Sequence, residues 1–528
     1  MKNHGSSYIK NLLLPCLAFS VFAGVMSSLI ITLFKWAAEH VISLSLWLYS
    51  AARQSPLWLL LLVLGVAAVG FSASLILSLS HACRGGGIPT SIAAIRGIAN
   101  FRWFASLLVL PVSALLTFLC GLPLGTEGPC VQMGTAIGDG AVKLLGGKRH
   151  AGWRRYIMTG GAAAGFSLAT GAPLTAIIFS TEELHKRFSP LLFSVTALSV
   201  LVSGICARAL RALGIGTVGL FDVSTTQALP LKVLFAPLAI GLICGGVSVL
   251  FTKLYHKFDA LMRIKLTKIS TKIKFPLIFS SFALIGYFIP KILGTGHSLT
   301  EEMLHSSAVW YILIVVFLLR AVFMMLSNTA GVTGGIFLPT LAFGALIGAL
   351  SADAFISIGI VDKSHYILLV TLGMTAFLAS TSHIPLTACV FAIEALGAGQ
   401  NILAVIIAVS AAYLIVELSG QEDFTDTVIE TKAHAIHRGK EARVIEVPLT
   451  VCENSFVAGK ELQDILWPVS CVVLSIEKKA AVSGKTRISE GDVLTVHYKT
   501  YDPVATAEEF EALVGDQPED VDRVMRPE

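Results

Sequence analysis

Long apolar runs dominate the chain. Segments of about membrane-spanning length recur near 12–33, 57–79, 105–122, 193–213, 233–254, 310–326 and 402–415. They predict transmembrane helices, since a helix needs about 20 apolar residues to cross a bilayer. Other apolar stretches are short or broken by Gly and Pro, above all GGGIP (85–89), GTEGP (125–129) and GGIFLP (334–339). Breaks at membrane depth are tolerated only where the backbone is buried in protein or lines a cavity. Residues 1–6 are polar, and the run that follows is too long for a signal-peptide core, so it reads as the first span.

The broken pattern occurs twice. GAPLTAIIFSTEEL (171–184) matches HIPLTACVFAIEAL (383–396), with Pro173 and Pro385 212 residues apart. EGPCVQMGTAIG (127–138) echoes FLPTLAFGALIG (337–348), with Pro129 and Pro339 210 residues apart. Two echoes in the same order at nearly one offset imply homologous halves, roughly 12–213 and 231–418. Interrupted helices at matching positions point to a transporter-type fold that binds its substrate at the repeat interface.

From 421 the pattern changes to period-two alternation with frequent charges. VIEVPLTV, CVVLSIEKK and DVLTVHY read as strands and FVAGKELQDIL as a helix, so 441–515 is expected to be a small soluble α+β domain. The polar residues 516–528 are expected to be a disordered tail.

Composition supports the membrane reading: 55% of residues are hydrophobic, 14% are charged, and mean hydropathy is +0.77. An ordinary soluble globule is excluded. The net charge of +5 is modest, but its distribution is informative. Basic clusters at 143–155, 185–187 and 253–274 fall between apolar segments, and Arg84 lies two spans after Lys2 and Lys10. The positive-inside rule places all of these, and the N-terminus, on the cytoplasmic side. The 253–274 stretch reads as a basic loop with Asp259 as its lone carboxylate. The nine cysteines show no CxxC spacing and read as small core residues. His81, His297, His305 and His383 form no metal-spaced set. There is no HExxH, GxSxG or GxxxxGK[ST] stretch, which argues against an embedded enzyme and an ATP-driven pump. No cofactor, metal or nucleic-acid partner is expected.

Glu127 is the lone carboxylate of a long apolar run, with Gly125 and Gly128 beside it and Pro129 suited to a helix's first turn. An ionisable residue in such a place is a functional-site hypothesis, set against a loop glutamate capping an interfacial helix. Helix N-termini and glycine-freed amides select anions. The three Gly/Pro stretches each offer one. An anion and a carboxylate would compete for the same amides, so a glutamate that leaves only when protonated would exchange protons for anions, or gate them. Glu182 and Glu183 close a short helix, either as the inner end of a proton path or as a solvated helix end beside Lys186 and Arg187. Glu394 repeats Glu182 and reads as a buried structural carboxylate.

Taken together, these residues resemble the CLC family of chloride channels and proton-coupled anion antiporters. GGGIP is similar to the family's GSGIP, GTEGP to its G[K/R]EGP, and GGIFLP to its GIFxP, over about 12–434. The resemblance implies an all-α polytopic membrane domain (1–434) of two inverted-topology repeats of tilted and broken helices. It also implies a homodimer with a separate path for chloride or another small monovalent anion in each subunit, exchanged against protons. Glu127 falls on the external gate and proton carrier, and Glu183 on the internal proton relay. The anion site falls on Gly86, Gly87, Ile88, Thr126, Gly128, Ile336 and Phe337, with Phe424 at the inner-gate position.

Three departures bear on selectivity and coupling. Gly86 replaces a serine whose hydroxyl contacts the anion, Thr126 replaces a basic residue beside the gate, and Phe424 replaces a tyrosine. A fluoride-selective relative would carry methionine where this chain has Gly86. Residues 441–515 resemble the TrkA-C (RCK C-terminal) domain, through Gly459-Lys460 and Glu490-Gly491-Asp492. That implies a dimeric regulatory module with a possible small ligand, or a passive dimerisation unit, and a bacterial source. The expected protein is a proton-coupled anion antiporter of a bacterial inner membrane with both termini cytoplasmic. A passive channel of the same fold and a membrane sensor working through its soluble domain are the alternatives.

Overall fold

A computed structural model describes residues 14–98, 102–146, 152–216, 220–221, 226–266, 268–306, 308–421, 423–429, 443–453, 455–468, 471–477, 479 and 481–515. Lys2, Lys10, residues 147–151 of the first basic cluster, the 434 boundary and the 516–528 tail lie outside these residues.

The first half of the membrane region contains α1 (Leu14–Ala52), α2 (Pro56–Ser78), α3 (Gly87–Ile95), α4 (Trp103–Leu119), α5 (Glu127–Ala141), α6 (Arg154–Thr170), α7 (Pro173–Phe179) and α8 (Pro190–Ala212). The second contains α9 (Phe235–Leu266), α10 (Thr271–Phe288), α11 (His297–His305), α12 (Trp310–Ala330), α13 (Phe337–Ser357), α14 (Tyr366–Ser382), α15 (Pro385–Glu394) and α16 (Ile402–Leu418). Among the described residues 8 helices are long and apolar enough to cross a membrane. The short α3, α7, α11 and α15 occupy matching places in the two halves, as broken helices do.

The halves pack alike. α5 lies on α6 and α13 on α14 more extensively than any other pairs. Glycine explains both seams: a Cβ on Gly134 would fall on the Gly161 carbonyl, and one on Gly344 would lie 2.5 Å from the Gly373 carbonyl. With no side chain between them, the backbones approach as small-residue membrane interfaces do.

The halves also meet head to tail. Gly125 and Gly335 form an antiparallel bridge in which each amide donates to the other's carbonyl at 2.7 Å. The amide of Gly85 donates to the Gly331 carbonyl at 3.2 Å, and that of Gly294 to the Gly121 carbonyl at 2.7 Å. Equivalent positions thus contact each other across a local two-fold, with the chains running oppositely, as inverted repeats require.

Two expectations of the pattern need correction. The first span does not end near 33. α1 continues through Lys35, Glu39 and His40 to Ala52, because no Gly or Pro breaks it and Lys35 bonds to carbonyls of α6. The basic stretch 253–274 is not a loop either. It belongs mostly to the end of α9 and the start of α10, where Asp259 is buried and accepts from Arg263 and Thr329 at 2.6 Å each.

The C-terminal domain, expected to be soluble, is an antiparallel sheet in the order β1 (Arg443–Thr450), β3 (Val493–Thr500), β2 (Cys471–Ile476), closed by α17 (Pro503–Val514). Its core includes Leu449, Val457, Ile465, Ile488, Leu494 and Phe510. The strands stand where the alternation put them, but FVAGKELQDIL is no helix. Gly459 turns left-handed (φ 79), and the Gly459, Leu462 and Gln463 amides donate to the carbonyls of Ile488, Thr486 and Gly484. The segment keeps only a 3-10 turn at Leu462–Asp464.

Candidate ion-transport site

Three helix starts converge where the halves meet. α3, α5 and α13 begin at Gly87, Glu127 and Phe337, each with proline as its third residue, and none has a side-chain cap. A proline costs the first turn no hydrogen bond, so the remaining first-turn amides stay available to a ligand. Glycine permits the convergence. A Cβ on Gly87 would fall on the Gly128 carbonyl oxygen, one on Gly128 would lie 2.7 Å from the Gly335 Cα, and one on Gly335 would lie 2.6 Å from the Gly128 amide. Three positive dipole ends thus meet in one buried place, with a partial positive charge that suits an anion.

Glu127 is fully buried at the first position of α5. Its carboxyl accepts from the Thr126 hydroxyl at 3.3 Å and faces its own amide and that of Leu338 in α13. Its Oε2 has no hydrogen-bond partner among the described residues. The carboxyl therefore lies on amides an anion would use. Thr126, Gly128, Gly87, Ile88 and Phe337 are buried around this point, and Ile336 is half-buried before α13. Gly86 precedes α3 in ordinary extended geometry (φ −65, ψ 133).

The missing basic neighbour has a counterpart that sequence reading did not reveal. Lys35, far back on α1, donates to the Leu168 and Ala169 carbonyls at 3.1 and 2.9 Å and lies within electrostatic reach of Glu127. It lines a cavity of about 290 Å³ with Arg208 and Arg211.

Glu183 lies 3% exposed on the π-helical turn Ser180–Leu184 after α7. The Thr425 side chain faces its carboxyl, and its Oε2 has no partner among the described residues. Phe424, beside Thr425, is buried edge-on against Tyr255 with ring centroids 4.4 Å apart. The structure thus brings together Glu183 and Phe424, 241 residues apart in the sequence. Aromatic rings run from the helix before Glu183 to the convergence point. Phe179 stacks on Phe166 at 4.4 Å, and Phe166 meets Phe337 edge-on at 5.0 Å.

Glu182 is no part of this arrangement. Its carboxylate accepts from the Leu386 amide (2.9 Å) and from the Thr387 amide and hydroxyl (2.6 Å each). Glu394 makes the reciprocal set with the Leu174 amide (2.8 Å) and the Thr175 amide and hydroxyl (2.7 Å each). Each closes the start of the other half's short helix, which gives Glu394 a structural role, half-buried where a buried one was expected, and assigns one to Glu182.

Sequence reading also missed the charged frame around Glu183. Arg96 donates to the Glu183 and Leu184 carbonyls at 3.4 and 3.3 Å and pairs with Asp426 at 3.2 Å. Lys186 pairs with Asp423 at 3.2 Å and Asp426 at 2.5 Å. Charge complementarity between LHKR (184–187) and 423–426 is a faint sequence signal, hidden by a separation of 237–240 residues.

Residues 68–417 match the voltage gated chloride channel family. A protein of Vibrio parahaemolyticus named H(+)/Cl(-) exchange transporter ClcA is 29% identical over 410 residues, covering 76% of this chain and 87% of the relative. The Citrobacter koseri protein of the same name is 30% identical over 355 residues, covering 65% and 73%. Among solved structures, a slow cyanobacterial Cl-/H+ antiporter superposes with a TM-score of 0.72 at 23% identity, over 80% of this chain and 99% of that one. A CLC-type fluoride/proton antiporter superposes with a TM-score of 0.63 at 21% identity, over 77% and 96%. With two thirds of its length in the match, the GTEGP and GGIFLP helix starts included, the chain belongs to the voltage-gated chloride channel (CLC) family.

Proposed function

We propose that the protein is a secondary transporter, not an enzyme, that exchanges chloride or another small monovalent anion for protons. One observation carries this reading: the fully buried Glu127 carboxyl lies on the amides where three uncapped helix starts meet. Ionised, it takes the place of an anion. Protonated, it loses its hold on the amides and swings aside, so proton uptake and anion entry become one event. The first-turn amides around Gly86, Gly87, Ile88, Thr126, Gly128, Ile336 and Phe337 hold the anion, and Phe424 closes the inner side. Glu183 passes the proton to the inner solution across the Phe166–Phe179 layer. The names of the related H(+)/Cl(-) exchange transporters support the pairing of ions.

The reading extends to a homodimer in a bacterial cytoplasmic membrane with both termini inside. The bacterial relatives support the setting. The basic side chains Arg155 and Arg187, which face the soluble domain, support the orientation. The C-terminal domain serves as a TrkA-C-like regulatory module open to a small ligand.

The test is proton movement in liposomes carrying the purified protein and a chloride gradient, with voltage clamped by a potassium ionophore. Protons driven uphill establish exchange, and chloride flux without proton movement defines a channel. Glu127→Gln, which mimics a permanently protonated gate, should abolish proton movement and leave anion movement. Unchanged proton flux in that variant removes Glu127 from the mechanism.

A further inference from the structure

We propose that the soluble domain is a working part of the inner mouth: its 464–466 segment, seated on Tyr156 and Arg187, positions the turn that carries Glu183. This rests on the reading of Glu183 as the inner proton relay.

The contact is built into both domains. Ile465 and Leu466 are adjacent, yet Ile465 belongs to the soluble domain's core and Leu466 to an apolar cluster of the membrane domain with Phe19, Trp153, Tyr156, Ile157 and Val195. Leu466 is 2% exposed. Around it the polar groups are matched. The Tyr156 hydroxyl donates to the Asp464 carbonyl and accepts from the Leu466 amide at 3.0 Å. Arg155 donates to the Leu466 carbonyl at 3.3 Å and pairs with Glu509 of α17 at 2.5 Å. Lys460 stands over the Phe456 ring at 3.0 Å and the Trp153 ring at 5.6 Å. A passive tether has no need of an apolar plug with every neighbouring backbone group satisfied.

The grip ends on the relay turn. Arg187 donates to the Ile465 carbonyl at 2.7 Å, four residues after Glu183. Between them Lys186 has φ 52, a left-handed conformation that a long side chain rarely adopts. Such strain persists only where its surroundings over-determine it. Four anchors do so: Arg96 on the Glu183 and Leu184 carbonyls, Lys186 on Asp423 and Asp426, His185 on the Thr159 hydroxyl at 2.7 Å, and Arg187 on the soluble domain. The first three belong to the membrane domain, and the fourth makes the turn's geometry depend on docking as well. Tyr156 and Arg187 are thus positioning residues, which act on proton transfer through the backbone that presents Glu183.

The experiment uses the full-length protein in liposomes, with chloride and proton fluxes recorded together and amide exchange read at Leu466. Tyr156→Phe keeps the ring in its cluster and removes the hydroxyl that links 464 to 466. It should weaken docking about tenfold, as the loss of a buried hydrogen bond does. Exchange at Leu466 should rise, and the proton-to-chloride ratio should fall by at least about half while chloride flux stays within about twofold. Arg187→Ala should lower the ratio in the same way, and Arg187→Lys, which keeps a donor, should restore it. Faster exchange at Leu466 with an unchanged ratio would reduce the domain to a tether and overturn the inference. Unchanged exchange would overturn it too, because the hydroxyl would then not hold the segment. Glu183→Gln, measured alongside, separates the two readings. A normal ratio in that variant removes the relay itself, whereas a lost ratio there with a normal one in Tyr156→Phe removes only the positioning role.

Discussion

The convergence point at Glu127, proposed as the outer site, and the frame around Glu183, proposed as the inner mouth, each hold a buried carboxyl, but they are made differently. The first is backbone against backbone, with Gly87 on Gly128, Gly128 on Gly335 and Gly125 bonded to Gly335. The second is side chain against side chain, from Arg96, Lys186, Asp423, Thr425 and Asp426, with a further anchor from a separate domain. A site of backbone amides offers a fixed field that cannot be titrated or repacked, which suits a binding place that must stay the same while its occupant changes. A frame of ion pairs on a strained turn can lose its anchors one at a time, which suits an element that responds to conditions. The outer site should therefore break all at once, and the inner one by degrees.

The largest effect is expected at the glycines. In Gly87→Ala the new methyl overlaps the Gly128 carbonyl of α5 in the same half, and in Gly128→Ala it overlaps the Gly335 backbone of the other half, so neither fits without parting the converging helix starts. A cost of ~3 kcal/mol or more follows. Neither variant should yield transport, and both should lower the unfolding temperature in detergent. A stable, active Gly128→Ala protein would show that the helix starts do not meet this closely.

Next come the reciprocal clamps. Glu182→Ala and Glu394→Ala each strip two amides and a hydroxyl from a shared carboxylate acceptor. Loss of such charge-assisted bonds costs about 2 kcal/mol after allowance for partial exposure. The two costs should agree to within about 0.5 kcal/mol, because the local two-fold gives both residues the same partners. Glu182→Gln should leave the proton-to-chloride ratio unchanged while Glu183→Gln lowers it. The reverse result would exchange the roles of the two neighbours.

The same contrast decides what was legible in the sequence. The outer site is written in three contiguous stretches, since glycine and proline set local backbone geometry and the repeat confirms them. GGGIP, GTEGP and GGIFLP therefore led directly to α3, α5 and α13. The inner mouth is assembled from Arg96, Lys186 and Asp423–Asp426, ordinary surface charges as far as local pattern goes, so reading along the chain found Glu183 without its frame. Lys35 was hidden for the same reason, as a single cation inside an apolar helix. In the C-terminal domain alternation located the strands β1, β2 and β3. FVAGKELQDIL misled because its apolar spacing suits a helix, and tertiary bonds to 484–488 with a turn at Gly459 outweighed that local preference.

A smaller effect is expected from pH. Lys460 is half-buried between Phe456 and Trp153, with Asp464 as its charged neighbour, and burial pushes its ammonium down to about 7. The ordinary value is about 10.4, so the undocked domain binds the extra proton and docking favours the neutral amine. The stabilisation is complete above the ordinary value, declines as pH falls, and is gone below about 7. Protection of the Leu466 amide, compared at each pH with that in Lys460→Met, should thus increase from pH 7 upward and stay level below it. A steeper change below 7 would place the titrating group elsewhere.

The smallest structural effect should come one residue before the most fragile glycine. A Cβ on Gly86 would meet the Pro89 ring at 3.4 Å and the Gly334 carbonyl oxygen at 4.0 Å, both ordinary contacts, and the backbone there (φ −65, ψ 133) is open to any residue. Gly86→Ser should change stability by no more than about 0.5 kcal/mol. Its hydroxyl, set at the start of α3, adds to the amides a donor the CLC resemblance assigns to this position. If the anion passes there, chloride flux relative to nitrate should change while stability does not. An unaltered ratio would move the anion's path away from α3, leaving α5 and α13 to bind it. Adjacent glycines with opposite tolerance would also show that backbone contact, and not glycine content, makes the outer site rigid.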